Sequence, residues 1–98
     1  MLMRIVRTRA QPGKWPQFER EFFTDHPEMS RVPGLRARWI LHDLDDPQAG
    51  FVVALWDSEA DALAFESATA RSPLLAERLP GEFEFHLGEI RSAWIAPG

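Results

Sequence analysis

Residues Gly50–Glu66 read GFVVALWDSEADALAFE, a buried strand passing through a capped junction into a helix. Phe51 to Trp56 is an unbroken run of six apolar residues, a length that suits a strand covered on both faces. Ser58 offers an N-cap oxygen, and Asp61 stands three residues on, in a variant of the capping box. Glu59 and Asp61 place negative charge at the positive end of the helix dipole. Ala62, Leu63 and Phe65 follow with roughly helical spacing.

Toward the N-terminus, Leu35–Asp43 (LRARWILHD) alternates as a half-buried strand does. Leu35, Ala37, Trp39 and Leu41 fall on one face, and Arg36, Arg38, Ile40 and His42 on the other. Asp43–Ala49 (DLDDPQA) is rich in turn formers and reads as the hairpin loop to the central strand. Trp15–Arg31 reads as helix, with Pro16 in its first turn, a stripe of Trp15, Phe18, Phe22 and Met29, and a kink or split at Pro27. Val32-Pro33-Gly34 ends it. Met3–Ala10 (MRIVRTRA) is an opening strand, closed by the turn Gln11–Lys14. Toward the C-terminus the central helix ends near Ala70. Ser72-Pro73 starts a short helix through Leu79, and Pro80-Gly81 breaks it. Glu82–Ile95 reads as a long last strand in which Phe83, Phe85 and Leu87 oppose Ile90 and Trp94 in parity, which predicts a bulge near Gly88.

The element order is β-α-β-β-α-β, so the fold class is α+β, ferredoxin-like, with both helices on one face of a four-stranded antiparallel sheet. The other sheet face has nothing to cover it within one chain. Yet the central strand is apolar on both sides, and a bare face of that kind is larger than soluble monomers usually leave exposed. The expectation is a homodimer whose open sheets pack together as a dimeric α+β barrel, the last strand reaching across to the partner.

The chain of 98 residues is one domain, 1–98. Its four Trp and seven Phe supply the large apolar area so small a core needs. It has no Cys, which excludes disulfides and thiol chemistry. A net charge of −4 argues against a nucleic-acid surface. No apolar run approaches a membrane span, and residues 1–10 alternate charge with apolar side chains, so no signal peptide or membrane partner is expected and the localisation expected is cytoplasmic.

Sites follow from residue type. His42, near the end of the second strand on the side of Arg36 and Arg38, suits a general base, or a hairpin-rim side chain held by Asp43 or Asp45. His86, opposite the Phe83–Phe85–Leu87 face, suits a pocket or, more readily, a polar dimer contact. His26, before Pro27, suits a helix C-terminal cation. Asp43, Asp45 and Asp46 lack the Gly and distal Glu of a calcium loop and read as a solvated turn. No pattern supports zinc, phosphate loops or a nucleophile elbow. Trp39, Trp56, Phe65, Phe22 and Phe18 are candidates to line an apolar cavity between helices and sheet. Core is the simpler role for Trp15, Phe18 and Phe51.

Four short stretches carry a resemblance: Pro12-Gly13-Lys14, Pro33-Gly34-Leu35, Asp45-Asp46-Pro47 and Trp56-Asp57-Ser58-Glu59-Ala60. With the strand order, they make the chain resemble the antibiotic biosynthesis monooxygenase family of dimeric α+β barrels over nearly its whole length. The resemblance implies one of several roles: cofactor-free oxygenation of quinols and polycyclic phenols, haem degradation, or none known. Aligned from the Trp-Asp-Ser junction, the Asn, Trp and His of haem-degrading relatives fall on Val6, Phe65 and about Leu75, so haem degradation is not expected. The Asn and Tyr of polyketide-oxidising relatives have no counterpart, because the chain contains neither residue type. Two expectations remain. One is a cofactor-independent monooxygenase acting on a small aromatic or quinol-like substrate, with His42 as base, Arg38 as anion stabiliser, and Trp39, Trp56, Phe65 and His86 about the substrate. The other is a non-catalytic ligand-binding or stress-associated dimer on the same scaffold; an isomerase of the muconolactone type is a weaker third. No cofactor is expected.

Overall fold

The computed structural model describes the backbone of residues 1–24, 29–69 and 78–98 and the side chains of residues 1–20, 29–65 and 84–98. The elements are β1 (Leu2–Ala10), α1 (Trp15–Thr24), β2 (Leu35–His42), β3 (Ala49–Trp56), α2 (Glu59–Thr69) and β4 (Arg78–Glu89). They form one four-stranded sheet in the order β2-β3-β1-β4, with every neighbouring pair antiparallel. This is the ferredoxin-like α+β fold expected from the element order. His26, Phe22, the break at Pro27 and most of the segment Ser72–Leu79 lie outside the described residues.

The central run behaves as half of what its composition suggests. Val52, Ala54 and Trp56 are buried, whereas Phe51, Val53 and Leu55 between them are only half-buried. One side of β3 faces the helices and the other faces outward. Phe51 therefore belongs to the open face and not to the core of the single chain. Directly opposed residues in antiparallel strands share a face, so the register sorts the whole sheet. The helix side carries His42, Ile40 and Arg38 from β2, Gly50, Val52, Ala54 and Trp56 from β3, and Thr8, Val6, Arg4 and Leu2 from β1; Phe85 and Leu87 come from β4. Among the described residues, two buried clusters lie there. Ala10, Trp15 and Phe18 pack with Ile40, and Ala54, Trp56 and Ala62 pack with Leu2, Val32, Leu35, Phe65 and Leu87.

Ser58 caps α2 as expected. Its hydroxyl accepts from the Asp61 N–H at 3.2 Å and donates to the Asp61 carboxylate at 2.9 Å. Gly34 has φ +79°, a left-handed turn that glycine adopts without strain, and the Asp61 side chain fills the space a Cβ would need. In the hairpin loop, Asp43 Oδ1 accepts from the N–H groups of Asp45 and Asp46, and Asp46 Oδ1 from that of Gln48. These are side-chain turns within the loop itself.

Three sequence expectations change. Leu35 joins the helix side because the β2–β3 register shifts between Leu35 and Ala37. Arg36, the extra residue at that shift, points out to Asp57 instead of lying beside Arg38. The last strand begins at Arg78 and runs through Pro80-Gly81, which an edge strand tolerates. It ends at Glu89, and pairing through Gly88 is regular, with the shift falling between Thr8 and Ala10 instead. The parity conflict of Ile90 and Trp94 arises because both lie past the strand end. Ile90 still donates its N–H to the Met1 carbonyl at 3.0 Å, and residues 91–98 run on exposed, Trp94 at 82% and Ile95 at 85%.

Arg36 and Asp57 form two parallel hydrogen bonds of 2.7 Å between the start of β2 and the end of β3. The guanidinium hydrogen bond holds the Asp57 carboxyl below the usual carboxylate range, and the same bond raises Arg36 above its ordinary value. Because the folded pKa of Asp57 is the lower one, the pair stabilises above the ordinary carboxylate value. That stabilisation is lost as pH falls through the depressed one. Comparing melting temperature against pH for wild type and Asp57→Asn should show the two curves separate near neutrality and converging in acid. The separation should be small, since both groups are exposed and screened. A constant separation at all pH values would refute the assignment.

Candidate functional site

β2 ends at His42, which lies opposite Gly50 of β3, and α1 begins with Trp15 above them. The Trp15 and His42 rings stack at 4.9 Å between centroids and 9° between planes. Gly50 is what permits this, because Trp15 ring carbons occupy the volume of its missing Cβ. His42 Nε2 lies 2.9 Å from the Pro47 carbonyl oxygen. A carbonyl only accepts, so that partner assigns the proton to Nε2 and leaves Nδ1 as the ring's acceptor. His42 is thus oriented on two sides while remaining exposed.

Arg38 stands four residues before His42 on the same strand face, about 13 Å away at the usual strand rise. Its Nη1 approaches the Met29 sulfur at 3.2 Å. Trp56 lies fully buried on the same side of the sheet, its ring 5.3 Å from that of Phe65. Four of the sequence-derived residues, His42, Arg38, Trp56 and Phe65, are therefore brought to the helix side. Trp39 and His86 are not. Trp39 pairs with Val53 and is 47% exposed on the opposite face, and His86 pairs with Ile5 on that same outer face.

Residue type alone did not single out Arg4 or Thr8. Arg4 lies on the helix side with its guanidinium 4.7 Å from the centre of the Phe85 ring, a cation–π contact. Thr8 is fully buried, and its hydroxyl has no hydrogen-bond partner among the described residues; the indole N–H groups of Trp15 and Trp56 are in the same condition. The readable signal was parity, since Arg4 and Thr8 occupy inward positions of a strand otherwise inwardly apolar. Buried polar groups are normally satisfied, so several left without partners in one layer are notable. No group of three or more His, Cys, Asp or Glu that could hold a metal occurs among the described residues. At the positions that the resemblance would give to an Asn and a Trp, the chain has buried Val6 and the apolar ring of Phe65. Neither donates a hydrogen bond, so these residues do not fit a haem-degrading site. Leu75 lies outside the described residues. No helix among the described residues is long and apolar enough to cross a membrane.

The sequence matches none of the curated proteins. Among solved structures, the chain is similar to a protein of unknown function from Nitrosomonas europaea, at 22% identity and TM-score 0.78, covering 99% of this chain and 95% of that one. It is similar to the heme-degrader MhuD from Mycobacterium tuberculosis, at 18% identity and TM-score 0.72, covering 96% and 99%. It is also similar to SnoaB, a cofactor-independent oxygenase from Streptomyces nogalater, at 19% identity and TM-score 0.69, covering 94% of each chain. At such identities the likeness establishes the fold. The family model for antibiotic biosynthesis monooxygenase matches residues 1–72, and by that match the chain belongs to the antibiotic biosynthesis monooxygenase family.

Proposed function

We propose that the protein is a cofactor-independent monooxygenase acting on an electron-rich aromatic such as a quinol, working as a homodimer. One observation carries this reading: an oriented histidine, an arginine and aromatic walls share the helix side of the sheet. In this reading His42 Nδ1 takes the phenolic proton, as a histidine can near neutral pH. The resulting anion, held among Trp56, Phe65 and neighbouring apolar groups, passes an electron directly to O₂. The phenoxyl–superoxide pair combines at a ring carbon to a hydroperoxide, which loses water to leave the carbonyl of a quinone. Arg38 stabilises the negative charge. SnoaB, on the same fold, is a cofactor-independent oxygenase, which supports the class of reaction but not the substrate.

Trp39 and His86 take another role in this reading. They lie on the open face and contact the second copy. His86 there serves as a polar interface residue beside Ile5.

The test is oxygen consumption with a panel of quinols. His42→Ala should lower kcat about 100-fold, the usual range for loss of a general base. His42→Gln keeps a ring-sized polar group against Trp15 and should behave alike if the proton transfer is what matters. Turnover unchanged in both variants would remove His42 from the mechanism. If no quinol is consumed by the wild type, the oxygenase reading fails.

A further inference from the structure

The peptide between Pro47 and Gln48 is gripped on both edges. Its carbonyl oxygen lies 2.9 Å from His42 Nε2, and its N–H, on Gln48, donates to Asp46 Oδ1 at 3.0 Å. A trans peptide is planar, and its C=O and N–H point in opposite directions. One rigid plate therefore stands between the aspartate carboxylate and the imidazole. Holding the N–H edge of that plate sets where its carbonyl points.

The grip is anchored outside the loop. Asp46 Oδ2 lies 3.3 Å from Arg9 Nε on β1, so the carboxylate is itself held. Gln48 closes on the end of β1 with two further bonds. Its carbonyl accepts the Ala10 N–H at 2.8 Å, and its side-chain amide donates to the Ala10 carbonyl at 3.1 Å. The ring of Pro47 locks its φ and leaves it no N–H to compete for the Asp46 carboxylate. Asp46 and Gln48 are half-buried, whereas His42 is exposed.

Trp15 does not fix the histidine alone. Its ring lies 9° from that of His42 and sets the imidazole plane. A half-turn of the imidazole keeps that plane and carries Nε2 to the other side. The Pro47 carbonyl chooses between the two orientations and, being an acceptor only, keeps the proton on Nε2. A carboxylate on the far edge polarises the peptide and strengthens the carbonyl as an acceptor.

We propose that Asp46 is a positioning residue for His42, acting through the Pro47–Gln48 peptide to hold the imidazole in one orientation with Nδ1 as its basic atom. The proposal rests on the reading above for the role of His42 as base, and it names the group that keeps that base aligned. In a catalytic triad a carboxylate orients the histidine by direct contact. Here one peptide group stands between the two, which gives a task to the Asp46-Pro47 pair of the hairpin loop.

The test reads the imidazole itself. Nitrogen NMR of the isotope-labelled full chain, above the pH range in which histidine titrates, should show a single Nε2–H tautomer for His42, its signals assigned by their loss in His42→Gln. In Asp46→Ala the two ring-nitrogen shifts should draw toward those of a free imidazole mixture. With a quinol, kcat should fall about tenfold at unchanged KM, the scale of a modest loss of alignment. Asp46→Asn keeps an oxygen for the Gln48 N–H and should restore most of both. Asp45→Ala removes the same charge from the same loop, where Asp45 takes part through its N–H, and should change neither. Arg9→Gln removes the ion-pair partner of the carboxylate. It should move the ring signals part of the way, and it decides the matter if Asp46→Ala does not fold. Ring signals in Asp46→Ala that match the wild type, or an equal change in Asp45→Ala, overturn the proposal. Turnover separates the two readings. A ring that loosens in Asp46→Ala while the wild type consumes no quinol retains the clamp and rejects the oxygenase; turnover that needs His42, with a ring indifferent to Asp46, does the reverse.

Discussion

Gly50→Ala should destabilise the protein strongly. Gly50 is buried between β2 and α1. A methyl group there would run into the Leu41 carbonyl oxygen and into two ring carbons of Trp15. The carbonyl belongs to the β2–β3 ladder and cannot move without breaking the pairing of Leu41 with Phe51. Trp15 cannot retreat either, because it is 3% exposed, stacked on His42 and packed against Phe18. Overpacking a rigid site costs about 3 kcal/mol or more, which in a domain this size lowers the melting temperature by roughly 15 °C. Gly88→Ala is the control, since a Cβ there meets only open space, and it should change stability by less than about 0.5 kcal/mol. Thermal melts of both variants followed by circular dichroism give the answer. A Gly50→Ala melt close to wild type would mean that Trp15 is not seated as described, and the orientation of His42 would lose its support.

The fold was legible because the strongest signals were non-local in meaning. A strand apolar on both sides, a Ser58 cap and two alternating neighbours admit few arrangements, and β3 sits where that pattern demands. The misplacements have local causes. Period-two reading passes straight through Arg36, because a one-residue bulge leaves no mark in composition, and it therefore puts Leu35 on the wrong face. Pro80-Gly81 reads as a breaker unless the strand is known to be an edge, which depends on the order of the whole sheet. For the site, alternation along β2 already set Trp39 opposite to His42 and Arg38. Aromatic character drew Trp39 into the same pocket, and strand parity overrules it. Arg4 and Thr8 escape a residue-by-residue reading because nothing in one strand shows that its inward polar residues share a layer with Arg38 and His42, 34 residues on and two strands across.

The larger functional consequence lies on the other face. Ala37, Trp39 and Leu41 of β2, Phe51, Val53 and Leu55 of β3, and Met3 and Ile5 of β1 form a continuous apolar surface by register. Trp39, Leu41 and Ile5 are 47%, 46% and 37% exposed in the single chain. Arg7 and Glu84 stand opposite each other at its margin, with His86 nearby, so the surface has an apolar centre and a polar edge, as interfaces do. Trp39→Glu should therefore convert a dimer into monomers. It removes a large aromatic at the centre and sets an ionised group where a second copy would dry it, and loss of such an anchor costs about 3 kcal/mol or more. That corresponds to a dissociation constant raised more than about 100-fold. Sedimentation equilibrium should show a dimer for wild type and a monomer for the variant at the same concentration. Far-ultraviolet circular dichroism should be unchanged, because Trp39 is not part of the buried clusters. Trp94→Ala offers a graded comparison: if the exposed segment after β4 reaches across to the partner, its loss should weaken the dimer by less. A wild-type chain that is monomeric at micromolar concentration, or a Trp39→Glu variant that remains dimeric, would sink the paired-sheet assembly. It would leave the helix-side site to act in a single chain, because Arg4, Arg38, His42 and Trp56 all come from one copy.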